Sequence, residues 1–155
     1  MLPIAGSNAG APVAFLRTEF DEALGQFSPD GKWVAYQTNE SGVHDIAVRP
    51  FSEPGGVWPV SSGGGTQPRW SRDGKTLYYA TFDGRIMSVP VGIRGASVEY
   101  GAIRAVDGSL LRLSSNVNLQ RYDVGSDGRL LTLMPPQGDG RPATITLVLD
   151  RKGPK

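Results

Sequence analysis

One short pattern occurs three times in this chain. Phe27-Ser28-Pro29-Asp30-Gly31 returns as Trp70-Ser71-Arg72-Asp73-Gly74 and again as Val124-Gly125-Ser126-Asp127-Gly128. In each copy an apolar residue stands three places before Asp-Gly, and Lys32, Lys75 or Arg129 follows the glycine. An apolar run comes next: Trp33-Val34-Ala35-Tyr36, then Leu77-Tyr78-Tyr79, then Leu130-Leu131. Asp30 and Asp73 lie 43 residues apart, and Asp73 and Asp127 lie 54 apart. A unit that recurs at such an interval is one supersecondary element, and its apolar faces are buried by stacking on its neighbours.

The local chemistry of the pattern is that of a turn between strands. Ser28 can hydrogen-bond the backbone, Pro29 presets φ, and Gly31 takes the conformation a Cβ would resist. The structural turn residues are therefore Ser28, Pro29, Asp30 and Gly31, then Asp73 with Gly74, Asp83 with Gly84, and Asp127 with Gly128. No long window shows an apolar period of 3.6, so almost no helix is expected. The first unit reads as strands at 23–28, 32–38, 44–50 and 57–61. The second reads as strands at 67–71, 76–82, 85–91 and 98–106. The third reads as strands at 120–125, 129–134 and 143–149 and lacks a fourth. Residues 12–18 read as a lone strand that could supply it.

The organisation predicted is a flexible segment at 1–11, the lone strand at 12–18, units at 23–62, 66–107 and 118–150, and a tail at 151–155. A period of roughly 40–45 residues is that of a four-stranded propeller blade. The fold class expected is thus all-β: a partial β-propeller of about three antiparallel blades, two complete and one split. Three blades fall short of the four to eight that usually close a ring. Apolar residues occupy both faces of the strands, as in Trp33 with Val34 and Tyr78 with Tyr79. Such strands need cover on both sides. Two chains completing one ring would give that cover, so a homodimer through open blade edges is one expectation.

Charge and composition exclude several function classes. Sixteen basic and fifteen acidic residues give a net charge of +1, with no basic stripe to track phosphates, so no nucleic-acid partner is expected. No apolar run is long enough for a membrane span. Met1-Leu2-Pro3-Ile4-Ala5-Gly6 lacks the charged and apolar regions of a signal peptide. Cysteine is absent, which removes disulfides, thiolate metal sites and thiol nucleophiles.

The order Gly25-Gln26-Phe27-Ser28-Pro29-Asp30-Gly31-Lys32-Trp33-Val34-Ala35-Tyr36, then Val48-Arg49-Pro50-Phe51, then Gly63-Gly64-Gly65-Thr66-Gln67-Pro68-Arg69-Trp70-Ser71, resembles the repeat of TolB-like, WD40-like (PD40) propellers. It is most similar to the C-terminal propeller of bacterial serine/threonine protein kinases. The similarity spans about residues 12–150 and takes in Arg121-Tyr122-Asp123-Val124 and Ile145-Thr146-Leu147-Val148-Leu149. It implies a non-catalytic scaffold for protein or small-ligand interaction, part of a larger propeller, in a periplasmic or otherwise extracytoplasmic setting. Two alternatives stand beside it: a regulatory propeller of such a kinase, and the gating propeller of a prolyl-oligopeptidase-like hydrolase. In the third copy Gly125-Ser126 replaces Ser28-Pro29, which leaves a less rigid turn.

Catalytic motifs were sought residue by residue. Gly74-Lys75-Thr76 lacks the earlier glycine of a phosphate loop, since position 69 is Arg. Gly125-Ser126-Asp127-Gly128 lacks the spacing of a nucleophile elbow. His44 is the one histidine and cannot make a zinc site alone. The six Asp-Gly pairs lack calcium-loop spacing and read as turns. No enzyme activity, metal or cofactor is expected. Arg49, Arg69 and Arg121 recur beside aromatic residues; they are candidates to contact a partner or to bond carbonyls between sheets.

Overall fold

A computed structural model describes residues 14–51, 55–111, 119–132 and 146–148. Among them the chain forms antiparallel strands and no helix. The first sheet is a meander of β1 (Glu22–Phe27), β2 (Trp33–Thr38), β3 (Asp45–Pro50) and β4 (Trp58–Pro59). The second holds β5 (Thr66–Trp70), β6 (Thr76–Ala80), β7 (Arg85–Arg94), β8 (Ser97–Tyr100) and β9 (Arg104–Leu110). The third holds β10 (Tyr122–Val124), β11 (Leu130–Thr132) and β12 (Thr146–Val148).

The repeated motif makes the same hairpin each time. In the first, Ser28 N–H donates to Trp33 O at 2.8 Å and Gly31 N–H to Ser28 O at 2.8 Å. Ser28 Oγ accepts the Trp33 N–H at 3.0 Å and donates to Asp30 Oδ1 at 2.5 Å, and that oxygen also takes the Lys32 N–H at 3.1 Å. Ser71, Asp73, Lys75 and Thr76 repeat every one of these bonds. The third copy keeps Arg129 N–H on Asp127 Oδ1 at 3.1 Å but has no hydroxyl at Gly125. The turn expected at Asp83-Gly84 joins β6 to β7 with the same bonds: Thr81 donates its hydroxyl to Asp83, and Gly84 N–H bonds Thr81 O at 2.9 Å.

These bonds lower the pKa of every turn carboxylate. For Asp30, Asp73 and Asp83 the leading cause is the hydroxyl of Ser28, Ser71 or Thr81. For Asp127, which lacks that hydroxyl, it is the Arg129 N–H.

Alternation along the strands puts two apolar layers between three sheets. Trp33, Ala35, Ile46 and Val48 of the first sheet meet Trp70, Leu77, Tyr79 and Val89 of the second. Trp58 stands edge-on to Trp33, with ring centroids 5.5 Å apart. On the other side of the second sheet, Ala80 and Ile86 meet Tyr122 and Leu130 of the third. The remaining face of the first sheet (Val34, Tyr36, Ala47) is covered by Phe15, Leu16 and Phe51.

Two strand expectations are corrected. Residues 14–18 form no strand; Phe15 and Leu16, both half-buried, pack on the sheet face instead of along an edge. Residues 12–13 lie outside the described ones. The single strand expected at 98–106 is two strands, both pairing β7: β9 along Arg85–Ser88 and β8 along Val91–Arg94. The switch falls at Pro90, which has no N–H to continue the ladder, and Gly101 N–H caps its carbonyl at 2.9 Å. No ring closure is present among the described residues. Among the described residues there is no helix long and apolar enough to cross a membrane.

Candidate functional site

The first strands of the three sheets, β1, β5 and β10, run side by side in space. β1 and β5 both carry a bulge, between Ala23 and Gln26 and between Thr66 and Arg69. At each bulge one residue takes a left-handed backbone: Leu24 with φ 56° and Gln67 with φ 57°. Such a conformation is costly for a side chain and is kept where the surroundings fix it. Leu24 stands four places before Ser28 and Gln67 four places before Ser71, so this is one device used twice.

Gln67 uses its position to hold the third sheet. It is fully buried, and its side-chain Oε1 accepts the Arg121 N–H at 2.7 Å. Its carbonyl accepts the Tyr122 hydroxyl at 2.7 Å and Gln120 Nε2 at 3.4 Å. Burial holds the Tyr122 phenol well above its usual range, so it remains a neutral donor. Gln67 Nε2 has no hydrogen-bond partner although it is buried.

Two places before each hairpin stand Gln26, Arg69 and Asp123. The fold makes these register equivalents touch. Arg69 Nη1 donates to Gln26 Oε1, and Arg69 Nε faces Asp123 Oδ1 at 3.4 Å. The second contact meets the distance of an ion pair but not the angle of a hydrogen bond, so its attraction is chiefly charge. Trp70 adds a bond from Nε1 to Gln26 O at 3.3 Å. The result is a polar rung across all three sheets, with Arg121 one step before β10.

Of the arginines singled out in the sequence, Arg69 stands in this rung, Arg121 reaches Gln67 through its backbone N–H, and Arg49 lies elsewhere. Arg49 pairs Val34 on β3 and sets its guanidinium 5.5 Å over the Phe15 ring, on the far face of the first sheet. Gln26, Gln67 and Asp123 were missed, although the 43- and 54-residue offsets contain two of them.

The turn residues Ser28 to Gly31, Asp73, Gly74, Asp83, Gly84, Asp127 and Gly128 all sit in hairpins. One further carboxylate is buried: Asp45, 7% exposed. Burial would raise its pKa, but the Gly64 N–H with the Ser41 and Ser61 hydroxyls outweighs that and lowers it. His44 Nδ1 and Gln37 Nε2 are 3.1 Å apart. Among the described residues no group of three or more His, Asp or Glu converges as a metal site.

No family model matches the chain, and no curated protein matches it. A solved structure that is similar in fold comes from Bacteroides uniformis and is assigned as a 6-phosphogluconolactonase. The two share 16% sequence identity at a TM-score of 0.53, over 85% of this chain and 39% of that one. This chain therefore spans about two fifths of that protein's length, and at such identity the likeness shows the fold alone.

These findings correct the family expectation. Membership of the TolB-like, WD40-like family, with its kinase association, has no matching family model behind it, and the structural neighbour bears another family's name. The non-catalytic scaffold reading falls with it, as do the kinase-sensor and hydrolase-gate alternatives. So does the exclusion of catalysis, because a protein of similar fold is assigned as an enzyme. Repeat and turn chemistry specify how sheets stack, and unrelated families share that requirement.

Proposed function

We propose that this chain forms the substrate-facing wall of a small-molecule enzyme acting on an acidic sugar derivative, such as a phosphorylated sugar acid or its lactone. The observation that carries the reading is the rung itself. Sheet stacking needs apolar contacts, yet the first strands of the three sheets bring Gln26, Arg69 and Asp123 together, flanked by Gln67. Guanidinium groups match carboxylate and phosphate oxygens in a planar fork. Amide and carboxylate oxygens accept sugar hydroxyls. The name borne by the structural neighbour supports the same ligand class. In this reading the three sheets are blade-like units set around a common axis, with their first strands innermost, in a protein larger than this segment.

The test is titration calorimetry of the chain with 6-phosphogluconate, beside a pH-stat assay of the corresponding lactone, whose hydrolysis to the open acid releases a proton. Saturable binding at roughly millimolar Kd or tighter, weakened about tenfold by Asp123→Asn or Arg121→Gln, is the expected result. A folded chain that binds none of the acid overturns the reading.

A further inference from the structure

The second layer between sheets opens into a cleft, and register equivalence shows why. Ser28 N–H bonds Trp33 O as Ser71 N–H bonds Thr76 O, so Trp33 and Thr76 hold the same place. Trp33 pairs Pro50 and Thr76 pairs Pro90, so Val48 on β3 corresponds to Ser88 on β7. Trp70 pairs Leu77 and Val124 pairs Leu130, so Tyr79 corresponds to Thr132. Trp33, Val48 and Tyr79 belong together in the apolar layer between the first two sheets. Their equivalents Thr76, Ser88 and Thr132 all line one cleft between the second and third sheets. The indole of Trp33, the methyls of Val48 and the ring of Tyr79 are thus replaced by three small hydroxyl-bearing side chains.

The cleft has a volume of about 290 Å³, at the small end of ligand sites. Tyr78, half-buried, gives it an aromatic wall, and Leu130 an apolar one. Arg104 and Asp107, both exposed, stand at the rim. One cation and one anion there favour a neutral ligand over an ion. An aromatic face with several hydroxyls around it suits a ring that is apolar above and below and hydroxylated at its edge.

We infer that the cleft between the second and third sheets binds a neutral, monosaccharide-sized polyol, stacked on Tyr78 and hydrogen-bonded by Thr76, Ser88 and Thr132. The site is separate from the polar rung and does not depend on it.

The experiment is saturation-transfer NMR and calorimetry on the whole chain with D-glucose, D-galactose and myo-inositol as probes. At least one should bind at concentrations up to roughly tens of millimolar. Thr76→Trp, which restores the residue of the first layer, should close the cleft and weaken that binding at least ~tenfold while the melting temperature holds or rises. Ser88→Val with Thr132→Val should weaken it as much without adding bulk. Arg121→Gln should leave it unchanged, which separates this site from the rung. Absence of binding by all three probes, or binding that survives both the plugged and the hydroxyl-free variants in folded protein, overturns the inference.

Discussion

Replacing Arg69 by Met tests whether the polar rung holds the sheets together. Methionine keeps the length and packing of the aliphatic stem and removes both polar contacts. The bond to Gln26 is charge-assisted, and such bonds contribute about 1.5–3 kcal/mol. The Arg69 side chain is 22% exposed, so this contact is largely shielded from water. Asp123 is 67% exposed, and an ion pair to so open a partner adds about 0.2–1 kcal/mol. Together the loss should be about 2–4 kcal/mol. For a chain of this length each kcal/mol lowers Tm by about 2–4 °C, so a fall of about 4–16 °C is expected in a thermal melt. Asp123→Asn should cost under ~1 kcal/mol, and high salt should erase most of that difference. A cycle pairing Arg69→Met with Gln26→Leu should show coupling above ~1 kcal/mol. If Asp123→Asn lowers Tm as far as Arg69→Met, or the cycle shows no coupling, the assignment of the main stabilisation to Gln26 is wrong.

Three other outcomes follow from the hairpins. Gly31 and Gly84 both have positive φ, of 71° and 89°, but a Cβ on Gly31 meets nothing within 4 Å whereas one on Gly84 would lie 2.0 Å from Leu111 O. Gly31→Ala should therefore cost only ~1–2 kcal/mol of backbone strain, and Gly84→Ala more than ~3 kcal/mol in chemical denaturation, since backbone must move. Ser28→Ala leaves the Trp33 N–H unpaired beside a residue only 4% exposed, and should cost ~1–3 kcal/mol by the same assay. Asp30, Asp45, Asp73, Asp83 and Asp127 all have lowered folded-state pKa values. The unfolded chain thus takes up protons first as pH falls, so stability is full above the ordinary carboxylate range and is lost below it. Tm should drop between about pH 5 and pH 3, and the drop should be shallower in Asp45→Asn.

The fold was legible where turn chemistry and alternation acted together. Ser-x-Asp-Gly marked two hairpins because hydroxyl, carboxylate and glycine each have one job in the turn, Asp127-Gly128 marked a third without the hydroxyl, and the apolar runs after them became β2, β6 and β11. The turn at Asp83-Gly84 was legible, but not as a copy of the motif, because threonine stands for serine and Phe82 for the turn's middle residue, although the same bonds form. Phe15 and Leu16 looked like a strand by composition, but strand and face-packing segments share apolar residues, and only tertiary contact decides between them. The division of one expected strand into β8 and β9 turned on a single missing donor at Pro90. At the rung, Arg69 and Arg121 drew notice because they are charged. Gln26 and Gln67 did not, because their importance lies in which backbone groups come near, and that depends on bulges no motif announces.

Register equivalence joins these observations. Hairpins and bulges repeat because they are backbone devices, and each sheet needs the same entry and the same twist. Side chains at equivalent positions are free of that demand and diverge according to what lies across the layer. Trp33 and Tyr79 belong to one apolar layer, while Thr76 and Thr132 line a cleft in the next. Gln26, Arg69 and Asp123 diverge in the opposite sense, since a neutral amide, a cation and an anion at equal height attract where three copies of any one of them would not. A cation repeated at this place on β1, β5 and β10 would face its own charge on the neighbouring sheet. Repetition of the scaffold with variation along the rung and within the layers is how a chain of near-identical units acquires distinct sites, and it locates those sites where equivalent residues differ most.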